Sequence, residues 1–435
     1  MNNIKKLRIL VIAEAANPEW TSVPLLGWSF TNALSQHFDV HLATQQRNKS
    51  AIERFGWNEG AEFTSIDTEA INKPFYQLGK LLRGGTSLGW TIATAVASFT
   101  YPYFEYLCWK KFKGELLKGN YDIVHRITPV SPTAPSYLAK KLKKIGVPFV
   151  VGPLNGGVAW PDEFDELRKK EKEWLTKVRN FYKFLPGYTA LRRDASAIIC
   201  GSIATQNEMP SSAAGKLFYL PENGIDTERF SKVSSSGFNY PIKAVFIGRL
   251  VPYKGADMAI QAMKGLLQQG KMTYDIYGNG PEEENLKSLV KREGLEQYVT
   301  VHGFVPHELL QSKLLESDIL VFPSIREFGG GVVLEAMATG IVPVVVDYAG
   351  PTELVNESSG YKVAISDRTQ LIRNLENTLE EIASNPERLA LKRAECLRRI
   401  QQHYTWQAKV DQINEVYMWT LGQGLKPKFT TNSFS

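Results

Sequence analysis

Short apolar runs recur along most of the chain, and stretches with helical spacing of apolar residues lie between them. A continuous apolar run of this length predicts a strand that is covered on both faces, as in a parallel sheet. On this basis we predict strands at 7–15, 40–44, 121–125, 243–250, 319–322 and 342–346, with further strands near 148, 194 and 216. Helices are predicted at 332–338, from about 256, and along the tail from 368. This alternation predicts an α/β fold of the doubly wound kind.

The most distinctive segment is 322–355, a strand, loop, helix and strand in succession. Gly329, Gly330 and Gly331 fall where the loop becomes the helix, so that bare backbone N–H groups can approach an anion at the positive end of the helix dipole. Glu327 precedes the glycines and Glu335 follows one helical turn inside. Solvated surface carboxylates are the plain alternative when this spacing is considered alone.

A second charged run follows the predicted strand 243–250. In the sequence GRLVPYKG at 248–255, Arg249 and Lys254 are separated by a proline turn at the carboxyl end of the strand. Arginine offers a bidentate fork to phosphate oxygens and lysine a point charge. Both side chains can therefore converge on one diphosphate, although an exposed basic loop would have the same sequence.

Together these segments carry a family resemblance. Glu-x7-Glu with an interposed glycine run, then EAMATG, a valine-rich strand and AGPTELV, resembles the donor site of retaining glycosyltransferases of family four, and GRLVPYKG resembles the family's G-R-L-x-x-x-K-G. The resemblance implies the GT-B fold, with two Rossmann-like doubly wound domains facing each other across a cleft. It places the first domain at 1–226, completed by a terminal helix at about 408–425, and the donor domain at 240–407.

The resemblance also implies roles for residues of the donor domain. Arg249 and Lys254 would bind the diphosphate and stabilise it as it leaves, and Glu335 would accept hydrogen bonds from the nucleotide ribose. Glu327 and the amides of the glycine run would hold the sugar. The other positions that match donor-binding segments of the family are Gly248, Gly278, Val305, Gly329, Gly330, Gly331 and Val332.

Resemblance in the first domain is weaker. His125 ends a predicted strand where the family has His-x-His, but Ile127 occupies the second histidine position. Thr128 is therefore an alternative ligand contact, and a purely structural role is an alternative for His125. The usual glycine-rich loop after the first strand is bulkier here, and Gly27 is predicted at the start of the helix that follows it. The remaining positions that match cleft or acceptor-side segments are Gly27, Asn155, Gly156 and Asn223.

The expected reaction is transfer of a hexose-type sugar from a nucleotide diphosphate sugar to an acceptor hydroxyl of a glycan or lipid-linked intermediate, as in lipopolysaccharide or surface-polysaccharide assembly. The sequence contains no Asp-x-Asp. We therefore expect no metal and no cofactor, the nucleotide sugar being a co-substrate. A nucleotide-sugar epimerase of the same fold and a non-catalytic nucleotide-sugar-binding, membrane-associated scaffold remain alternatives. A phosphorylase would need a lysine that holds pyridoxal phosphate, and no motif in the sequence identifies such a lysine.

Composition and charge add the setting. The 435 residues carry a net charge of +6. The positive excess lies in residues 1–225, which hold 28 Lys and Arg against 20 Asp and Glu. Solvated helix faces and attraction to an anionic membrane both explain this excess, and no nucleic-acid-binding motif accompanies it. The apolar stretch 86–109 is predicted as packed helices, with a membrane contact as the alternative. Three distant cysteines suit a reducing compartment. We expect a cytoplasmic protein, peripheral on the inner face of the membrane.

Overall fold

The computed structural model describes residues 6–68, 90–165, 186–234 and 240–429, with side chains described from 100 in the second range and from 187 in the third. The chain divides into two compact units. The first comprises the described residues of Met1–Gly157, Lys172–Glu222 and Lys409–Phe429, and the second those of Val158–Glu171 and Asn223–Ala408. We predicted a first domain over 1–226; the structure instead groups residues 158–165 and 223–226 with the second unit.

The described part of the first unit is built on a parallel sheet of seven strands. The strands are β1 (Arg8–Ala13), β2 (Asp39–Gln45), β3 (Phe63–Ile66), β4 (Ile123–Thr128), β5 (Phe149–Leu154), β6 (Ala197–Cys200) and β7 (Leu217–Tyr219). Their order in the sheet is β3-β2-β1-β4-β5-β6-β7. The order thus reverses beside β1, which pairs with β2 on one side and β4 on the other.

Helices connect these strands. They are α1 (Val23–His37), α2 (Lys49–Arg54), α3 (Trp90–Leu117), α4 (Leu138–Lys144), α5 (Pro186–Asp194) and α6 (Ile203–Asn207). On α3, Tyr101, Phe104, Cys108 and Phe112 recur at helical spacing and are all buried in the core with Leu10 of β1. This packing agrees with the prediction of a packed helix for the described part of 86–109; residues 86–89 and the side chains of 90–99 lie outside the described residues. Among the described helices, none has an apolar stretch long enough to cross a membrane.

The second unit contains a parallel sheet of six strands in its described part. The strands are β8 (Ile242–Ile247), β9 (Met272–Tyr277), β10 (Val299–Gly303), β11 (Ile319–Phe322), β12 (Val342–Val346) and β13 (Tyr361–Val363), in the order β10-β9-β8-β11-β12-β13. Every pair is parallel. The order reverses beside β8, which lies between β9 and β11.

The helices of the second unit are α7 (Ala256–Gln268), α8 (Glu283–Arg292), α9 (Leu310–Leu315), α10 (Gly331–Ala338), α11 (Ala349–Leu354), α12 (Arg368–Ser384) and α13 (Arg388–Arg399). A π-helical turn (Ile400–Tyr404) leads to α14 (Trp406–Thr420), which belongs to the first unit from Lys409 onward. Val410, Ile413, Val416 and Tyr417 form the buried face of α14. The helical spacing that predicted this helix therefore reflects packing in the first unit.

The predicted GT-B fold is confirmed at the level of two Rossmann-like doubly wound units. Differences in detail are at strand ends. The predicted strand 121–125 runs instead from Ile123 to Thr128, which places His125 in the middle of β4 rather than at its end.

Candidate active site

The strand-order reversal of the second unit lies between β8 and β11. At such a point neighbouring connections leave toward opposite faces of the sheet, and a crevice opens beyond the carboxyl ends of the strands. Arg249 follows β8 by two residues, and the loop with Glu327 and the three glycines follows β11. The topology therefore brings the two predicted donor-site segments to one edge of the same sheet.

Lys254 contacts Glu327 at this edge. It ends a short 3₁₀ turn (Pro252–Lys254), which Gly255 closes in the left-handed conformation with φ of 75°. The Lys254 ammonium and the Glu327 carboxylate form an ion pair, with 14% and 19% of the two side chains exposed. The ammonium also lies 4.9 Å from the centre of the Phe322 ring. Both charges are thus mostly shielded from water but reachable from the loop edge.

Burial and neighbouring charges shift the pKa of Lys254 in opposite directions. Burial, followed by the neighbouring Arg249 guanidinium, lowers the pKa of Lys254 to about 7. The carboxylate of Glu327 in direct contact favours the charged ammonium. The side chain of Arg249 itself is exposed. A bound anion would also favour the charged ammonium, so that binding of a diphosphate here would hold Lys254 protonated.

The glycine run forms the N-terminus of α10. Gly330 is its N-cap, in the left-handed conformation with φ 56° and ψ 37°. The Asn223 side-chain amide donates to the Gly329 carbonyl oxygen at 3.0 Å, which turns that carbonyl toward Asn223. The first N–H groups of a helix have no partner within the helix. The amides that begin α10 are therefore arranged as an anion site requires.

Asn223 is a predicted site residue that belongs to the second unit in the structure. It was predicted as a cleft or acceptor-side position at the end of the first domain, and in the structure its side chain contacts the glycine run of the predicted donor site. Its side chain also faces Gly331, where a β-carbon would lie 3.7 Å away. Asn223 thus helps to shape the glycine loop.

Gly248 and Gly278 let two strand ends approach closely. Gly278 has φ of 146°, and a β-carbon there would lie 1.8 Å from the Gly248 carbonyl oxygen. The Gly278 amide donates to the Gly303 carbonyl oxygen at 2.8 Å. Val305 and Val332 are half-buried near β10 and in the first turn of α10. These positions line the same strand edge, and their predicted role in donor binding remains a prediction.

Glu335 lies on the second turn of α10, with 16% of its side chain exposed. His307 Nε2 lies 2.8 Å from its Oε1. His307 could not be identified from the sequence, because 28 residues separate it from Glu335 and no motif links the two. Only the fold shows that they meet.

Trp160 packs against the two segments that carry the ion pair, although no motif in the sequence identified it. Trp160 belongs to the second unit, where its ring meets Tyr253 edge-to-face at 5.9 Å and the Arg326 guanidinium at 5.0 Å. Tyr253 precedes Lys254 and Arg326 precedes Glu327. Trp160 therefore supports both segments that carry the pair. No sequence signal pointed to Trp160, because the burial of Arg326, which calls for a partner, is visible only in the structure.

His125 of the first unit is where the structure argues against a catalytic prediction. It is fully buried, and both ring nitrogens are engaged, Nδ1 with the Tyr417 hydroxyl at 2.6 Å and Nε2 with the Gly152 carbonyl oxygen at 2.8 Å. Burial lowers its pKa to about 4, against a smaller opposing effect of the Gly152 hydrogen bond. This neutral imidazole joins α14 to the sheet through Tyr417, and neither of its ring nitrogens is free for a ligand in this structure.

Gly27 and Thr128 meet at the end of β1. Gly27 was predicted at the start of α1, but it lies in the second turn of that helix. A β-carbon there would lie 2.1 Å from the Ala15 carbonyl oxygen and 3.1 Å from the Thr128 methyl group. Thr128 is buried, and its hydroxyl oxygen accepts from the Ala15 amide at 3.0 Å. Both residues hold the β1–α1 loop in place.

Asn155 belongs to a buried hydrogen-bond network in the first unit. Its side-chain amide donates to both Glu222 carboxylate oxygens at 2.8 and 2.9 Å, and its side-chain oxygen accepts from Ser202 at 2.9 Å. Burial raises the pKa of Glu222, and the Asn155 bond opposes that rise. Gly156 donates to Thr205 at 3.3 Å. Ser202 and Thr205 therefore hold the loop that carries both of these predicted residues, Asn155 and Gly156.

The predicted donor residues therefore gather at one strand edge of the second unit, whereas the first-unit predictions are buried among internal partners. Within the described ranges, no three His, Cys, Asp or Glu side chains come together as a metal site would need.

Comparison with known proteins finds sequence similarity to glycosyltransferases. The family model described as "Glycosyl transferases group 1" matches residues 228–395. WcaL of Salmonella typhimurium, a protein assigned to colanic acid biosynthesis as a glycosyltransferase, is 32% identical over 54% of this chain and 57% of its own. The amylovoran biosynthesis glycosyltransferase AmsK of Erwinia amylovora is 32% identical over 34% of this chain and 38% of its own. The chain spans about half the length of the curated relatives that it matches.

Among solved structures, Anabaena HepE in complex with UDP resembles this chain with a TM-score of 0.63 at 17% identity, over 94% of this chain and 99% of HepE. At that identity the likeness establishes the fold alone.

Proposed function

We propose, from the match of residues 228–395 to the family model of glycosyl transferases group 1, that the chain is a retaining glycosyltransferase. It moves a hexose-type sugar from a nucleotide diphosphate sugar to an acceptor hydroxyl. The observation that carries the proposal is the Lys254–Glu327 ion pair, set beside Arg249 and the N-terminus of α10 at the strand-order reversal of the second unit.

Two side-chain cations and one helix N-terminus would stabilise the leaving diphosphate. The bond from the sugar's anomeric carbon to the phosphate oxygen breaks as a bond to the acceptor oxygen forms, and negative charge develops on the diphosphate. The acceptor's hydroxyl proton passes to a diphosphate oxygen. An ammonium has three N–H donors, so Lys254 can contact Glu327 and still reach the phosphate. Groups already aimed at a developing charge cost little reorganisation in the reaction.

Metal independence is supported by the sequence, which has no Asp-x-Asp to hold a metal-diphosphate pair. Arg249, Lys254 and the amides at the start of α10 supply the compensating positive charge instead. Glu327 and the glycine amides hold the sugar, and Glu335 accepts from the ribose.

The acceptor is a lipid-linked or surface-polysaccharide intermediate. This assignment is supported by WcaL and AmsK, whose names refer to colanic acid and amylovoran biosynthesis. It is also supported by exposed lysines in the first unit that suit a peripheral contact with an anionic membrane, namely Lys110, Lys111 and Lys113 on α3 and Lys140, Lys143 and Lys144 on α4. A further basic run of the sequence, Arg168, Lys169, Lys170 and Lys172, lies outside the described residues.

Thermal shift with UDP-, GDP-, ADP- and TDP-sugars, without added metal, tests the donor assignment. A donor at 100 times its Kd adds about 2.7 kcal/mol of stability. We expect one nucleotide class to shift Tm selectively, and Arg249→Ala to remove the shift. Absence of any shift in a folded sample would overturn the proposal.

Incubating the identified donor with no acceptor then separates transferase from epimerase. A transferase leaves the donor sugar unchanged apart from slow hydrolysis, whereas an epimerase converts it. Anomeric analysis of a transferred product by NMR tests retention of configuration.

A further inference from the structure

His307 forms a hydrogen-bonded pair with Glu335 that the proposed reaction does not yet use. It opens a 3₁₀ turn (His307–Leu309) after β10, and its Nε2 lies 2.8 Å from Glu335 Oε1. The two side chains are 29% and 16% exposed. The pair is therefore neither buried in the core nor free in solvent, and it lies at the strand edge that carries the candidate site.

The backbone of this turn is held independently of the imidazole. The Arg229 guanidinium donates to the His307 carbonyl oxygen, and the Leu309 amide donates to the Pro306 carbonyl oxygen at 3.0 Å. Neither bond involves the His307 ring. Replacing the side chain therefore leaves the turn anchored and removes only the contact with Glu335.

Glu335 is fixed at its backbone by α10 but has three rotatable side-chain bonds. A carboxylate offers about four lone-pair sites, and His307 uses one of them. One oxygen thus holds the side chain in a single orientation while the other remains able to accept further hydrogen bonds.

From this geometry we infer that His307 is a positioning residue for nucleotide recognition: it holds the Glu335 carboxylate ready to accept hydrogen bonds from the ribose hydroxyls of the nucleotide. The inference rests on the proposed function. It adds a residue that acts through Glu335 and does not itself touch the ligand.

The expected effect is a loss of affinity that depends on the ribose hydroxyls. Ordering a long side chain on binding costs about 0.5–1.5 kcal/mol, which corresponds to a factor of about 2 to 12 in Kd. Without His307, Glu335 must be ordered when ribose binds. A nucleotide that lacks both hydroxyls gains nothing from that ordering, so its Kd should not change.

Isothermal titration calorimetry with UDP, GDP and ADP, and with the 2′,3′-dideoxy form of whichever binds most tightly, tests this inference. The variants are His307→Ala, His307→Gln and His307→Asn, with His403→Ala as a matched histidine removal elsewhere in the second unit. The amide nitrogen of Gln corresponds to Nε2 and that of Asn to Nδ1. We therefore expect Gln to restore ribose-dependent binding and Asn not to restore it.

The supporting result is a rise of about 2- to 12-fold in the Kd of the ribonucleotide for His307→Ala, with an unchanged Kd for the dideoxy form and for both ligands with His403→Ala. Equal weakening of both ligands, or no weakening, would overturn the inference while leaving the proposed function intact. Failure of the unmodified protein to bind any of the three diphosphates would overturn the inference, and absence of a thermal shift with a TDP-sugar as well would overturn the proposed function. Tm values of all variants establish that each is folded before its Kd is compared.

Discussion

Both units reverse their strand order beside their first strand, at β1 and β4 in the first unit and at β8 and β11 in the second. In the second unit the reversal carries charged side chains near the surface, with Arg249 exposed and Lys254 and Glu327 mostly but not fully buried. In the first unit the corresponding edge carries Thr128, which ends β4, and Gly27 in the connection that follows β1, and both are buried. The same topology thus supports a site in one case and internal packing in the other.

The difference shows that a strand-order reversal creates the opportunity for a ligand site but does not establish one. What distinguishes the second unit is a loop whose backbone amides begin a helix and whose charges stay accessible. In the first unit, Thr128 and Gly27 instead bring the β1–α1 loop against the sheet.

The first prediction tests the charged side of the comparison and has the largest expected effect. Removing one preorganised electrostatic group from a transition state lowers kcat by about 10²–10³. We expect Lys254→Ala and Arg249→Ala each to reduce kcat to this extent with the donor identified by thermal shift. The matched control is Lys264→Ala, which removes an exposed lysine of α7 whose ammonium is 2.8 Å from Glu293. Wild-type kcat in either site variant would contradict the proposed role.

The second prediction tests the packed side. Gly27→Ala places a β-carbon 2.1 Å from the Ala15 carbonyl oxygen, so the backbone of α1 or of the loop must move. Overpacking of this kind typically costs about 1–3 kcal/mol, and we expect a lower Tm. Gly265→Ala is the control, because Gly265 is also helical but has open space around its α-carbon. There, alanine should raise stability by about 0.5–1 kcal/mol. A Gly27→Ala protein with unchanged Tm and weakened acceptor binding would instead favour a ligand role.

The third prediction concerns the pH dependence that His125 contributes. Its folded pKa of about 4 lies below the unfolded value of 6.5. The unfolded chain therefore binds a proton first as pH falls, and the stability that the neutral imidazole contributes above pH 6.5 is lost on the way to pH 4. Between pH 7 and pH 5 this loss is about 2 kcal/mol.

His125→Gln removes the titration but keeps a neutral polar side chain, so Tm should depend less on pH in the variant than in the wild type. Comparing the two proteins cancels the opposite contribution of Glu14, whose pKa burial raises to about 7. A variant with wild-type pH dependence and a kcat about 10²-fold lower would restore the catalytic interpretation of His125.

Local patterns were sufficient to predict most of the fold. The apolar runs at 319–322 and 342–346 became β11 and β12 at the predicted residues, and α7 begins at Ala256 as predicted. These elements are buried on both faces or carry a clear helical period, so neighbouring residues alone determine them. Strand ends were less predictable, as at β4, because pairing partners decide where a strand stops.

The candidate site could be predicted only where one segment carries the contact. The turn from Gly329 to Gly331 is local, and the structure places it as the start of α10. The contacts of Glu335 with His307, and of Trp160 with Tyr253, join residues that are distant in sequence. The contact of Asn223 with Gly329 could not be predicted for the same reason, since 106 residues separate the two. Such contacts depend on how the sheet brings loops together.

The last prediction asks whether the glycine run serves the ligand or only the turn. Gly331 has an ordinary backbone conformation, and a β-carbon there would be 3.7 Å from Asn223, which is normal contact. We expect Gly331→Ala to leave Tm almost unchanged and to weaken nucleotide-sugar binding about tenfold, or ~1.4 kcal/mol, because the methyl group stands where the backbone must approach the diphosphate. Gly330→Ala is the comparison, since its φ of 56° makes alanine unfavourable by about 1–2 kcal/mol regardless of ligand. If only Gly330→Ala weakened binding, the run would be needed for the shape of the turn, and the anion site would then rest on Arg249 and Lys254.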